Sequence, residues 1–478
     1  MKTGQFRLTP HALRLTLSLL SLAPLLLCSP AIVFSQQTWQ RTYGETSLDY
    51  GYAVLQTTDG GYLVTGITFS FGAGGDVYLV KTDAQGDTLW TKTYGGSGEE
   101  CGNDLQPTWD GGYIVVGTTT SFGAGEKDVY LLKLNAQGDT LWARTYGGAN
   151  NDFGITVRQT RDSGFVMAGY TNSTGAGDYD VFLIKTDSRG DTLWTKTFGG
   201  LYEDVGYSAL QTSDGGYIIA GWTYSFGAGM EDLYLIRTDA QGDTLWTKAY
   251  GGPLIDCSYS VQMTSDSGFI NTGVTSFGSG GGDLWLLKTD AQGDTLWAKA
   301  YRGKSVTFGN SVYPTRDGGY IAVGNTDDVY LLKADARGDS LWSRIYGNPN
   351  ITFSDAGYSV LQTTDGGYII AGYTMIASCN TDVYLIKTDS LGRSTGVEET
   401  AEVRGQRLEV RITATPNPFA SFARVPGHER ERFALYDIAG RKVGTYRGDR
   451  IGEGLGAGVY FLAPEGKDAK PLRIVKLR

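Results

Sequence analysis

A tryptophan returns seven times along this chain, at Trp39, Trp90, Trp142, Trp194, Trp246, Trp297 and Trp342, with spacings of 51, 52, 52, 52, 51 and 45 residues. Few folds accept such a period. A unit of this size fits one repeat of a stacked or circular array better than a domain with its own core. The local text repeats too. A strand-like run, Val77–Lys81, is rich in β-branched and aromatic residues. It leads into the turn Asp83-Ala-Gln-Gly86-Asp87, where Gly86 accepts left-handed backbone. Leu89 and Trp90 open the return strand. Equivalent runs stand at Val129–Lys133, Val181–Lys185, Leu233–Arg237, Leu284–Lys288, Val329–Lys333 and Val383–Lys387. Two further strands per unit, seen in Tyr207–Thr212 and Tyr217–Thr223, flank an Asp214-Gly215-Gly216 hairpin turn. Four strands in such a unit describe a β-propeller blade.

The chain ends set the number of blades. Trp39 has no strand of this type before it, and Val383–Lys387 has no Trp strand after it. Pairing Thr38–Tyr43 with Val383–Lys387 completes a seventh blade and removes both open sheet edges. The expectation is all-β: a closed seven-bladed β-propeller over residues 36–395, followed by a small immunoglobulin-like β-sandwich. Each Trp is expected to pack under the turn of its own hairpin or between neighbouring sheets. Such burial contributes on the order of 2–3 kcal/mol. The Asp-x-x-Gly-Asp-Thr-Leu-Trp run is also similar in shape to the outer hairpin of pyrroloquinoline-quinone-type propellers, without a matching ligand set.

Net charge is −10, but both termini are basic, so the acid is concentrated in the repeats. That argues against a nucleic-acid backbone as partner. Residues 1–35 read as a secretory signal. Lys2, Arg7 and Arg14 precede a Leu-rich run too short to span a membrane, and Val33 and Ser35 suit cleavage before Gln36. A lipoprotein signal ending at Cys28 fits less well, because Leu27 is bulky. The mature chain is expected to be a monomer without a transmembrane span. Cys101, Cys257 and Cys379 lie in different repeats and read as free thiols.

Residues 396–406 read as a linker, and residues 407–478 lose the blade period. This tail carries Pro416-Asn417-Pro418-Phe419, then Leu435-Tyr436-Asp437-Ile438-Ala439-Gly440-Arg441, then Gly458-Val459-Tyr460-Phe461, and ends in Arg473-Ile474-Val475-Lys476-Leu477-Arg478. In that order it resembles the C-terminal sorting domain of the type IX (Por) secretion family. The resemblance implies an immunoglobulin-like sandwich read by an outer-membrane export machine, and a cargo released or tethered at the cell surface. The charged insert Glu465–Pro471 departs from the family pattern.

Alternate loops of a blade fall on opposite faces. The Asp-Gly-Gly and Asp-x-x-Gly-Asp turns share one face. The variable loops share the other, where binding is expected. Two recurring features belong to that face. An acid recurs at Asp49, Glu100, Asp152, Asp204, Asp256 and Asp355, with Thr307 in the odd place. These residues could ring the channel mouth and hold Ca²⁺, or accept N–H groups of their own loops. Ser-Phe-Gly loops carry Phe71, Phe122, Phe226 and Phe277, which would form an aromatic rim for a glycan or protein, or cap their own blades. Blade six differs, with a shortened Asn325-Thr326-Asp327 loop and Arg302-Gly303-Lys304 in place of Gly-Gly; repeat drift accounts for this, and if one sector of the rim is specialised it is expected here. The only histidines are His11 and His428, so the repeats hold no imidazole for a triad or metal site. The expected function is a non-enzymatic extracellular binding scaffold with no cofactor. The alternative is a secreted polysaccharide hydrolase acting through rim carboxylates.

Overall fold

A computed structural model describes residues 36–395, apart from 277–281, 304, 348–354 and 378–379. In the tail it describes the strands at 432–436, 442–447, 458–464 and 472–476 with a few turn residues. The signal segment, the linker, Phe277, Cys379, Pro416, Asn417, Pro418, Gly440 and Arg441 lie outside the described residues.

Seven four-stranded antiparallel sheets follow one another along the chain. In the first, Asp49–Gln56 is innermost, then Tyr62–Thr68, Asp76–Thr82 and the outermost Thr88–Tyr94. The burial follows from that order. The two middle strands are buried at every residue, which fits sheets covered on both faces. The outermost strand alternates between exposed and half-buried residues. Cores such as Leu55, Leu63, Leu79, Leu105, Val115 and Leu132 form between successive sheets rather than within one. The seventh sheet is closed by the first strand, Trp39–Tyr43, in antiparallel register with Val383–Lys387 (Trp39 opposite Lys387, Tyr43 opposite Val383). The ring therefore has seven complete four-stranded blades, with Trp39–Tyr43 as the outermost strand of the seventh.

The tryptophan rings do not sit under their own hairpins. Each reaches forward to the next blade. An added Cβ at Gly86 would lie 2.9 Å from the Trp39 ring, and one at Gly190 would lie 2.9 Å from Trp142. The same holds around the ring to Trp342 under Gly392. Only a positive-φ glycine (φ 81° at Gly86) allows this approach. Four residues on from each Trp, a tyrosine hydroxyl donates to the same glycine's carbonyl, as Tyr43 does to Gly86 at 2.6 Å and Tyr146 to Gly190 at 2.7 Å. Phe198 breaks this series below Gly242. Beside the other turn on the same face of each blade, between its first and second strands, a buried cation is clamped, as in Lys81 to Asp59 (2.9 Å) and Lys185 to Asp162 (2.8 Å).

The tail strands form one antiparallel sheet, in the order 442–447, 432–436, 458–464, 472–476. Phe433, Leu435 and Leu462 are buried in it, whereas Val443 is exposed. Gly458 pairs with Lys476 and Tyr460 with Ile474, so two of the sorting-type motifs are adjacent strands.

Candidate functional site

Every innermost strand carries a β-bulge at one position. The register slips between Gly51 and Ala53, between Gly102 and Asp104, and at the matching place in the other five blades. A bulge leaves one residue unpaired and re-aims its side chain. The bulged residues are Tyr52, Asn103, Ile155, Tyr207, Tyr259, Asn310 and Tyr358, and all seven line the central channel, a cavity of about 420 Å³. The two amides steady the inner wall: Asn103 donates to Gly154 O and Asn310 to Gly357 O, both at 2.8 Å. The channel also holds one ion pair, Asp104 with Arg158, whose acid accepts from Thr156 Oγ1 (3.0 Å) and Val157 N (3.1 Å).

From the bulge ring, aromatic residues continue toward the variable face. Tyr52 meets Tyr358 edge-on at 5.4 Å, and Tyr50 meets Tyr373 at 5.0 Å. Phe153 stacks on Tyr170 at 4.5 Å, which meets Tyr179. Tyr207 meets Tyr259 at 5.1 Å, and Trp222 meets Tyr224 at 5.4 Å. The Tyr224 hydroxyl donates to Glu231 Oε1 at 2.8 Å, and that bond, with burial, pushes its pKa up to about 12. The Cys257 thiol donates to the other oxygen of Glu231, and burial pushes the thiol up as well. Cys101 and Cys257 are free thiols. Beyond Tyr224 the loops of blades three to five expose Leu201, Tyr202, Met230 and Leu254.

The acidic ring lies elsewhere. Asp49, Glu100, Asp152, Asp204, Asp256 and Asp355 are all buried, at 3% exposure or less. Each stands at the start of an innermost strand, Asp355 one residue before it, and accepts hydrogen bonds from neighbouring segments. Gly96 N donates to Glu100, Gly148 N to Asp152 and Gly200 N to Asp204, each at 2.7 Å; Gly252 N donates to Asp256 at 2.8 Å. Ser70 Oγ donates to Asp49 (2.6 Å) and Met375 N to Asp355 (3.0 Å). Thr307 takes the same role in blade six, accepting from Gly303 N at 2.9 Å. These carboxylates face blade junctions, not the channel mouth. Each meets a second acid that the spacing did not single out, buried at Asp76, Asp128, Asp180 and Asp232 and half-buried at Asp328 and Asp382. Gly199 lies between Asp180 and Asp204, and an added Cβ there would be 1.8 Å and 2.7 Å from their oxygens. Burial, and then the neighbouring carboxylate, raise the pKa of Asp76, Asp128, Asp180 and Asp382. Among the described residues no three His, Cys, Asp or Glu side chains gather as a metal site would need.

Phe71, Phe122 and Phe226 each lie against a tyrosine of their own blade: Tyr78, Tyr130 and Tyr234, at 5.6, 5.7 and 5.6 Å. Phe122 and Phe226 stay nearly half exposed (44% and 45%). At the entry to blade six the guanidinium of Arg302 binds Asp283 (2.9 Å) at the junction where Thr307 replaces the strand-start acid. Arg302 is thus held in a junction, and the concentration of exposed aromatic and apolar residues lies over blades three to five instead.

The molecule is thus a seven-bladed β-propeller with a tyrosine-lined channel. No family model matches the chain. Regulatory protein FlaEY of Caulobacter vibrioides is 30% identical over 152 residues, which is 27% of this chain and 16% of that protein. The chain therefore spans less than a fifth of that relative. Among solved structures it is similar to PorZ of Porphyromonas gingivalis, a surface component of the type-IX secretion system (TM-score 0.44, 12% identity, 87% of this chain and 58% of that one). It is also similar to the WD40 propeller domain of Doa1 (TM-score 0.46, 14% identity, 73% and 96%).

Proposed function

We propose that the chain is a secreted or outer-surface, non-enzymatic binding scaffold whose ligand is an extracellular glycan held at the channel mouth of the variable face. One observation carries this reading. The recurring acids, lysines and tryptophans of the ring are engaged in holding loops and blades together, whereas the bulge ring lines an accessible channel and further aromatic residues follow it along the inner strands. Tyrosine and tryptophan edges beside Asn and Glu side chains suit a ligand with apolar C–H faces and many hydroxyls. The rim carboxylates of the hydrolase alternative are buried in loop contacts, which favours binding over catalysis. The tail motifs support export by a type IX-like machine, with the tail folding as a small sandwich.

A glycan array probed with the purified full chain tests the binding reading. Binding is expected, and Trp222→Ala with Tyr224→Ala should weaken it at least tenfold. An array silent for a folded chain would refute a glycan ligand. Deleting residues 407–478 should stop the protein behind the outer membrane; unchanged delivery to the cell surface or medium would refute the sorting role of the tail.

A further inference from the structure

The channel mouth is not uniform. The sector between blades two and three contains a separate pocket, whose assignment rests on the proposal of a glycan ligand. Facing positions on the two inner strands carry Phe153 and Tyr170 in blade three and Val205 and Trp222 in blade four. Blade two has Cys101 and Thr118 there. The missing bulk opens a cavity of about 190 Å³ lined by Glu99, Asn103, Thr118, Lys127, Phe153 and Tyr170. A cavity of roughly 150 Å³ accepts benzene, so one six-membered ring fits.

Lys127 sets the chemistry of this pocket. The other described lysines of the ring all pair with an aspartate, from Lys81 with Asp59 to Lys387 with Asp365. Among the described residues Lys127 makes no ion pair, and its ammonium stands 5.4 Å over the Phe153 ring. Thr118 Oγ1 is buried beside the Cys101 thiol with no oxygen or nitrogen partner. A cation that makes no ion-pair contact, with Glu99 as the carboxylate lining the same pocket, and a buried hydroxyl with no neighbour but the Cys101 thiol are both groups that a ligand would satisfy.

We propose that this pocket binds the carboxylate-bearing ring of an acidic sugar, a uronate residue of an extracellular polysaccharide. Lys127 pairs with the carboxylate. Thr118 and Asn103 exchange hydrogen bonds with ring hydroxyls, Phe153 and Tyr170 contact the C–H surface, and Glu99 accepts from a hydroxyl while disfavouring a doubly charged group.

Titration calorimetry of the full chain with an oligogalacturonate and with a neutral galacto-oligosaccharide of equal length tests this. The acidic sugar should bind more tightly. Lys127→Gln should weaken it about tenfold, the value of one charge-assisted hydrogen bond, and leave the neutral sugar unchanged. Lys127→Arg should retain binding. Thr118→Tyr, which copies blade three, should fill the pocket and abolish the preference, with an unchanged melting temperature showing that the ring is intact. Equal binding of both sugars, or a Lys127→Gln variant that still prefers the acidic one, would overturn the pocket assignment and leave the broader glycan reading standing. Binding of neither sugar by a chain that binds other glycans on the array would also overturn it. A chain that binds no glycan at all refutes both.

Discussion

The residue that best exposes the logic of the ring is Arg302. At six junctions a glycine stands between two acids, as Gly199 stands between Asp180 and Asp204. At the remaining one a threonine replaces one acid, and an arginine replaces the glycine and pairs with Asp283. Arg302→Ala should cost about 1–3 kcal/mol, the penalty of leaving a buried charged group without its partner. Asp283→Asn on that background should recover part of it, as read by urea unfolding. The paired acids also predict an unusual pH profile. Those with raised pKa, such as Asp180, bind protons more readily folded than unfolded, so they stabilise the ring as pH falls from neutral toward their folded values. The turn acids act in the opposite sense. For Asp59 the penalty of burial is outweighed by bonds from Lys81, Thr57 and Gly61 N, and its pKa falls to about 2. Asp214 is likewise lowered to about 2, by Thr212 first and then Arg237. Their contribution is complete above about pH 4 and is lost as pH falls toward 2. Melting temperature should therefore rise on mild acidification and drop steeply below pH 4. A melting temperature that only falls on acidification from neutral would contradict the junction assignment.

At the scale of the element, the latch between blades is a composite of three contacts: indole on glycine, phenol on the glycine carbonyl, and in most seams a cation on the turn aspartate, as Lys92 on Asp139 at 2.6 Å. The seam from blade three to blade four lacks the phenol, because Phe198 stands where other blades have tyrosine. Phe198→Tyr should add the missing hydrogen bond to Gly242 and stabilise the protein by about 0.5–1.5 kcal/mol, measured as a shift in the urea midpoint at constant slope. The strands and turns behind this latch were legible in the sequence because they repeat with the same side chains. The forward reach of Trp194 to Gly242 was not, since period alone does not tell which neighbour a ring covers. The bulge ring was hidden for a different reason. At Tyr52 or Tyr207 the extra residue breaks the alternation by which strand faces are read. The signal available was a glycine two residues after the strand-start position, as in Gly51, Gly102, Gly154, Gly206, Gly309 and Gly357 with Ser258 in the odd place, followed in six of the seven blades by Tyr or Asn. The second acid of each junction, Asp180 for Asp204, is distant in sequence and becomes a partner only through the stacking of blades.

For the whole molecule, stability depends on a join made by chain segments more than three hundred residues apart. Trp39–Tyr43 is only five residues long, yet it supplies the outer strand of blade seven. Its Trp39 ring and Tyr43 hydroxyl also latch that blade to Gly86 of blade one. Removing residues 36–43 from a chain that begins at Gln36 would thus take away two contacts at once. It would leave the Asn380–Thr388 strand as an unpaired edge and blade seven without its grip on blade one. An open array of this kind loses cooperativity, because end blades have one neighbour instead of two, and an exposed edge strand templates pairing with another chain. The truncated protein should unfold in a broadened transition at lower temperature and elute as dimers or larger species. Supplying the missing segment as a synthetic peptide should restore the sharp transition and the monomer, since the register with Val383–Lys387 is set by Trp39 and Tyr43 at its two ends. An unaltered, cooperative, monomeric truncation would mean that six complete blades and an open seventh suffice. The join would then add little beyond the contacts between neighbouring blades.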